Sequence, residues 1–169
     1  VSDLAPLDMI RFRMIGNGPL KAELIELARK LELSNVSFEP QVPQKMIPSL
    51  ASEADAFIIA VRNLPRLYRY GISMNKLFDY FAAARPVIIA TNAANNPVAE
   101  SGGGVTVPPD NPEALAQAIL KVSRMSPDDR DRIGCAGRKY VTEHHSFEYL
   151  GCRLASVLDG CVALNKGYE

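Results

Sequence analysis

The chain has 169 residues and a mass of 18.5 kDa, enough for one α/β domain with its own core and too little for two full-sized nucleotide-binding lobes. Apolar residues make up 47% and charged residues 22%, an ordinary globular balance that excludes a disordered or fibrous chain. Nineteen Lys and Arg offset nineteen Asp and Glu, so no net field argues for nucleic acid as a partner, and Arg62, Arg66 and Arg69 form one local basic group.

No apolar run reaches the roughly 20 residues of a membrane-spanning helix, and the N-terminus lacks the layout of a signal peptide. Cys135, Cys152 and Cys161 match no metal-ligand spacing and read as reduced thiols of a cytoplasmic protein. His144 and His145 are adjacent, project in different directions and make a poor metal site.

The first element in chain order is a strand, Ile10 to Ile15, alternating apolar and basic before the turn Gly16-Asn17-Gly18-Pro19. Leu20, Leu24, Leu27, Ala28 and Leu31 recur at helical spacing, which predicts an amphipathic helix over 19–32. A short strand, Val36-Ser37-Phe38, and a helix over 43–54 follow. Ala56 to Val61 is an unbroken apolar run, the pattern of a strand buried on both faces. Residues 62–73 read as a loop, Asn75 to Ala84 as a helix, and Pro86 to Ala90 as a second fully buried strand. Gly102-Gly103-Gly104 reads as a flexible turn before a strand, Val105-Thr106-Val107. From Pro112 the chain is helical, with breaks expected at Pro127 and Gly151. Strands alternating with helices predict a Rossmann-like, doubly wound parallel sheet in a single domain. No strand and glycine-rich turn of the opening kind precede Ile10, so the sheet is expected to lack its opening strand and helix.

Open α/β sheets bind ligands in the loops after the carboxyl ends of their strands. Gly16-Asn17-Gly18 is one such loop, either a ligand contact or a plain strand-to-helix turn. Glu39-Pro40-Gln41-Val42 is another, which suits a planar base or serves only as a connection. The most informative is Tyr70-Gly71-Ile72-Ser73-Met74-Asn75-Lys76, which runs directly into a helix. Free N–H groups at a helix start attract phosphate, and Ser73 or Asn75 could equally cap that helix. Asp79, one turn in, is either a ribose-binding carboxylate or an exposed helical residue. The turn Asn92-Ala93-Ala94-Asn95-Asn96 receives no role.

These segments, in this order, resemble the C-terminal domain of family 4 glycosyltransferases, enzymes of the two-lobed GT-B architecture. The resemblance rests on Phe12 to Leu20, Val36 to Phe38, Ala54 to Ile58, Gly71 to Ile88 and Gly104 to Ala116, and covers roughly residues 10 to 150. The sequence Ser73-Met74-Asn75-Lys76-Leu77-Phe78-Asp79-Tyr80 is similar to a subgroup that builds bacterial surface polysaccharide, O-antigen or capsule, from UDP-linked amino- or deoxy-sugars such as N-acetylfucosamine. The resemblance implies a retaining transferase that uses a UDP-sugar as donor substrate and a saccharide or lipid-linked acceptor. It implies that the amides from Gly71 through Ile72, Ser73, Met74 and Asn75 to Lys76 hold the donor diphosphate and sugar. Asp79 would hold the ribose, and Gly16, Gln41 and Val42 would border the nucleotide. The family pairs two acidic residues here; Asp79 fills the second position and Gly71 stands at the first. No metal or other cofactor is expected, and no catalytic residue is identified. The resemblance implies that an N-terminal acceptor lobe lies outside this chain, so the chain is expected to be inactive alone and, through that lobe, peripheral at the inner face of a membrane. The alternative is a non-catalytic Rossmann-like nucleotide-binding module. A dinucleotide-dependent oxidoreductase is disfavoured because Gly16-Asn17-Gly18 lacks the third glycine of that fingerprint.

Overall fold

The computed structural model describes residues 9–165, with side chains as far as Cys161. Strand β1 (Phe12–Ile15) leads to helix α1 (Lys21–Lys30), strand β2 (Val36–Glu39) and helix α2 (Ile47–Ser52). Strand β3 (Phe57–Ala60) is followed by the short helix α3 (Pro65–Tyr68), helix α4 (Asn75–Ala82) and strand β4 (Val87–Ala90). Helix α5 (Pro97–Ser101) and strand β5 (Gly104–Val107) precede three helices, α6 (Pro112–Ser123), α7 (Pro127–His145) and α8 (Phe147–Asn165).

All strand pairing is parallel, as the alternation of strands and helices requires, but it falls into two ladders. β1 pairs with β2 from Phe12–Val36 to Ile15–Glu39, and β4 lies between β3 and β5. The common doubly wound strand order 3-2-1-4-5-6 contains both pieces: β2-β1 matches 3-2, and β3-β4-β5 matches 4-5-6. No strand among the described residues takes the position between them. Two edges are therefore open. The N–H groups of Phe12 and Gly16 point to β2, so those of Arg13 and Ile15 lie on the other side. The N–H groups of Phe57 and Val61 point to β4, which leaves Ile58 and Ala60 on the second open edge.

β4 is buried along its whole length because it has a strand on each side and helices on each face. Its side chains alternate between two cores. Val87 and Ile89 join Ile59, Val61, Ile72, Leu77, Phe81 and Val98 under α4, α5 and α7. Ile88 and Ala90 join Val107, Ala118 and Val122 under α6. β3 departs from the expectation of burial on both faces: Ile59 is buried but Ile58 is 38% exposed, because β3 is an edge strand. α1 departs as well. Ala28 is buried, but Leu24, Ile25 and Leu27 stay exposed, since a two-stranded ladder offers the helix little surface.

Other differences have local causes. The helix expected over 43–54 starts as a 3-10 turn, Gln44–Met46, before α2. The expected loop 62–73 contains α3, started by Pro65. Gly151 lies inside α8; the break falls instead at Ser146, which is extended and accepts a hydrogen bond from the Tyr149 N–H. The last residues of the expected helical tail, 166–169, lie outside the described residues. Gly103 and Gly104 are not a flexible turn. A Cβ at Gly104 would strike the backbone of Val87, and one at Gly103 would lie 2.8 Å from the Gly137 Cα and from the Phe81 ring.

Asn96 caps α5, a helix that the sequence pattern did not reveal. Its side chain accepts from the N–H groups of Val98 and Ala99 and donates to Thr106 Oγ1 at 2.8 Å. Asn96→Ala is expected to lower stability by about 1 kcal/mol, read as a shifted denaturation midpoint at unchanged slope.

Candidate functional site

The carboxyl ends of both ladders carry polar links between their loops. At β1 and β2 the linker is Lys21, whose ammonium donates to Gly16 O at 2.8 Å, to Glu39 O at 2.6 Å and to Asn17 Oδ1 at 3.4 Å. One cation thus gathers carbonyls from the ends of two adjacent strands. Gly16, with φ +149, donates its N–H to Glu39 O at 3.2 Å. Of the sequence-predicted residues, Gly16 sits in this fixed turn, while Gln41 and Val42 follow Glu39 in the next loop, Gln41 exposed and Val42 half-buried. The Arg13 guanidinium beside Glu39, bonded at 2.7 and 2.9 Å, holds that carboxyl below its ordinary range.

At the second ladder, Asn63 after β3 donates its N–H to Asp110 Oδ2 at 3.0 Å, and Asn92 after β4 donates to Asn63 Oδ1 at 3.1 Å. Three loops after three strands are tied in one chain of hydrogen bonds.

The Gly71–Lys76 loop has a more specific geometry. The Gly71 N–H is spent on Tyr68 O at 3.0 Å. Ile72 is buried, and its backbone is held from both sides by Asn95: Ile72 N–H donates to Asn95 Oδ1 at 2.5 Å, and Asn95 Nδ2 donates to Ile72 O at 2.9 Å. Gly71 has φ +104, and a Cβ there would lie 2.7 Å from Asn95 Cγ. The N–H groups of Ser73, Met74, Asn75 and Lys76 have no acceptor among the described residues. Met74 is the residue before the helix, extended and making no side-chain cap, so neither Ser73 nor Asn75 acts as one. The start of α4 thus leaves these four donors free, and the first bonded N–H is that of Leu77, to Met74 O at 3.0 Å.

α4 buries Leu77 and Phe81, and Tyr80 stacks on Phe57 at 3.9 Å between ring centroids. Asp79 lies on the opposite, exposed side of the helix, one turn after Asn75, and among the described residues its carboxylate accepts no hydrogen bond and joins no ion pair. Burial, and then the charge of Asp79 beside it, push the Tyr80 phenol above its ordinary value. No hydrogen bond among the described residues joins the Gly16 turn to the Gly71 loop.

Sequence reasoning missed Lys21 and Asn95. Lys21 reads as a helical surface lysine, and its position one turn after Gly18 was the available signal. Asn95 lies in a turn whose composition looks like any connection. A cavity of about 430 Å³ runs along β1 and β2 beside Arg11, Phe12, Arg13, Asn35, Ser37 and Glu39, and none of the predicted site residues lines it.

His144 and His145 do not diverge fully: both rings approach Tyr140, at 4.9 and 5.6 Å, and His145 also packs on Phe78. Burial and a 2.6 Å hydrogen bond to Glu100 push the Tyr140 phenol up to about 12. Among the described residues no group of three His, Cys, Asp or Glu side chains is arranged to hold a metal ion. Asp129 and Asp131, which have the Asp-x-Asp spacing, are engaged with Ser126 and Arg132 and with Arg85. The three cysteines are free and exposed. No helix among the described residues is long and apolar enough to cross a membrane.

Comparison with known proteins fits this geometry. The family described as Glycosyl transferases group 1 matches residues 2–124. Sucrose-phosphate synthase from Thermosynechococcus elongatus superposes with a TM-score of 0.73 at 20% identity, over 90% of this chain and 38% of that one. WaaG, a glycosyltransferase involved in lipopolysaccharide biosynthesis, superposes with a TM-score of 0.61 at 19% identity, over 82% of this chain and 35% of that one. The chain thus spans little more than a third of the length of these structural relatives. No curated protein sequence matches it. With parallel ladders flanked by helices and the family signature over most of its length, the chain belongs to the Glycosyl transferases group 1 family and has the Rossmann-like fold of a GT-B lobe.

Proposed function

We propose that this chain is the donor-binding part of a retaining glycosyltransferase that uses a UDP-sugar in the synthesis of bacterial surface polysaccharide. The observation that carries the reading is the start of α4, where the N–H groups of Ser73, Met74, Asn75 and Lys76 have no acceptor among the described residues. Four such donors, on the positive end of a helix dipole, match a diphosphate. Gly71 and Ile72 belong to the same site as the turn that presents those donors. Asp79, one turn along, would accept from the ribose hydroxyls, and Gly16, Gln41 and Val42 would border the base. The polysaccharide role draws on the Ser73–Tyr80 resemblance, with N-acetylfucosamine-like sugars as the donor class.

In this reading the leaving diphosphate is stabilised by fixed dipoles and needs no divalent metal. A second lobe supplies the saccharide or lipid-linked acceptor and the closure that brings acceptor to donor. That lobe would also carry the protein to the inner face of the membrane, and transfer by residues 1–169 alone is not expected.

Calorimetric titration of UDP into the protein tests the reading. Weak binding is expected, unchanged by EDTA, because each charged hydrogen bond supplied from elsewhere in the enzyme is worth about 1.5–3 kcal/mol. Binding seen only with Mg2+ or Mn2+, or no preference for UDP over uridine, would overturn it.

A further inference from the structure

We infer that Asn95 is a positioning residue for the diphosphate: it clamps the turn from which the free N–H groups of α4 emerge. The inference rests on the reading of that helix start as a phosphate site. An asparagine side chain carries the same donor and acceptor as a peptide group, and Asn95 uses both on Ile72, accepting from its N–H at 2.5 Å and donating to its carbonyl at 2.9 Å. The pairing imitates one rung of a sheet between loops 23 residues apart in sequence. The Ile72 side chain is meanwhile buried with Ile59, Val61 and Leu77, so the residue is fixed through its backbone on one side and the core on the other.

Three consequences follow from the clamp. The Ile72 N–H is removed from the set available to an anion, so recognition starts at Ser73. The turn needs glycine at position 71, both for φ +104 and because Asn95 fills the space a Cβ would take. The orientation of the Ser73–Lys76 donors is set before a ligand arrives, which lowers the ordering cost of binding. Asn95 touches no phosphate in this scheme; Asn96, next to it, anchors the same loop by capping α5, so the clamp has a rigid base.

The test compares wild type, Asn95→Ala and Asn95→Asp by calorimetry with UDP and UMP, and by amide hydrogen exchange at Ile72. Wild type is expected to favour UDP over UMP and to protect the Ile72 amide. Asn95→Ala should lose that protection and bind UDP about tenfold more weakly, with UMP nearly unchanged. Asn95→Asp keeps the acceptor for the Ile72 N–H and should keep its protection, but it sets a carboxylate against the Ile72 carbonyl and should weaken UDP as well. Equal losses for UDP and UMP, or unchanged UDP affinity in Asn95→Ala, would overturn the positioning role while leaving the phosphate site standing. A wild type that does not favour UDP over UMP removes the phosphate site itself, and the role of Asn95 with it.

Discussion

Phe81→Ala is expected to cost about 3–5 kcal/mol of stability, since Phe81 is the largest fully buried side chain among the described residues. The ring is fully buried at the end of α4. It meets helix α7 and the residue before β5 at positions that have given up their side chains, Gly137 and Gly103. A Cβ at Gly137 would lie 2.9 Å from Phe81 Cε1, and one at Gly103 would lie 2.8 Å from the same atom. Tyr140 adds an edge-on contact at 6.3 Å between centroids. Neighbours reduced to glycine cannot move side chains into the vacated space, so the cavity persists. Chemical denaturation measures the loss. A cost below about 1.5 kcal/mol, typical of volume-conserving swaps, would mean that α4 and α7 close the gap by moving together.

Asp79→Asn is expected to weaken UDP binding by about ten- to hundredfold, the value of one charge-assisted hydrogen bond to a ribose hydroxyl. The folded state should barely register the change. Asp79 is exposed and its carboxylate has no hydrogen bond or ion pair among the described residues, so its stability effect should stay within about 0.5 kcal/mol. Affinity and melting temperature measured on one preparation separate the two outcomes. Unchanged affinity would remove Asp79 from the ribose site, and a clearly lowered melting temperature would make it a structural residue.

The parts of the fold that were legible in sequence are those whose pattern reports burial directly. Val87 to Ala90 is apolar throughout because every face of that strand is covered. The same inference misled at Ile58, since an apolar run does not reveal whether a neighbouring strand is present. Short elements escaped for another reason. α3 and α5 have 4 and 5 residues, too few for a helical period to show. Pro65 and Pro97 were their signals, and each also reads as a loop residue. Gly151 looked like a break, yet a helical glycine with open space around it costs only about 1 kcal/mol. The candidate site was legible where backbone chemistry defines it, as at Gly71 to Lys76. It was illegible where one side chain reaches a distant backbone. Nothing in the residues around Asn95 announces a partner 23 positions away, and the place of Lys21 one turn after Gly18 points at most to the near turn, not to Glu39, 18 positions on.

The division of the strands into two ladders also bears on how the molecule opens. A two-stranded ladder with one helix is marginal by itself. β1, β2 and α1 have one well-buried side chain, Ala28, whereas β3, β4 and β5 enclose two cores. The surface pair between Arg13 and Glu53 ties the first part to the rest at 2.7 Å, and exposed ion pairs of this kind hold weakly. Residues 9–39 are therefore expected to open as a separate, low-free-energy unit, exchanging amide protons well before the β4 core does. The Gly16 turn and its Lys21 latch belong to that labile unit, while the α4 donors belong to the durable one. A nucleotide spanning both would be stabilised by the second and would itself stabilise the first. Ligand protection should then appear in residues 9–39 more strongly than in the strands beneath the diphosphate.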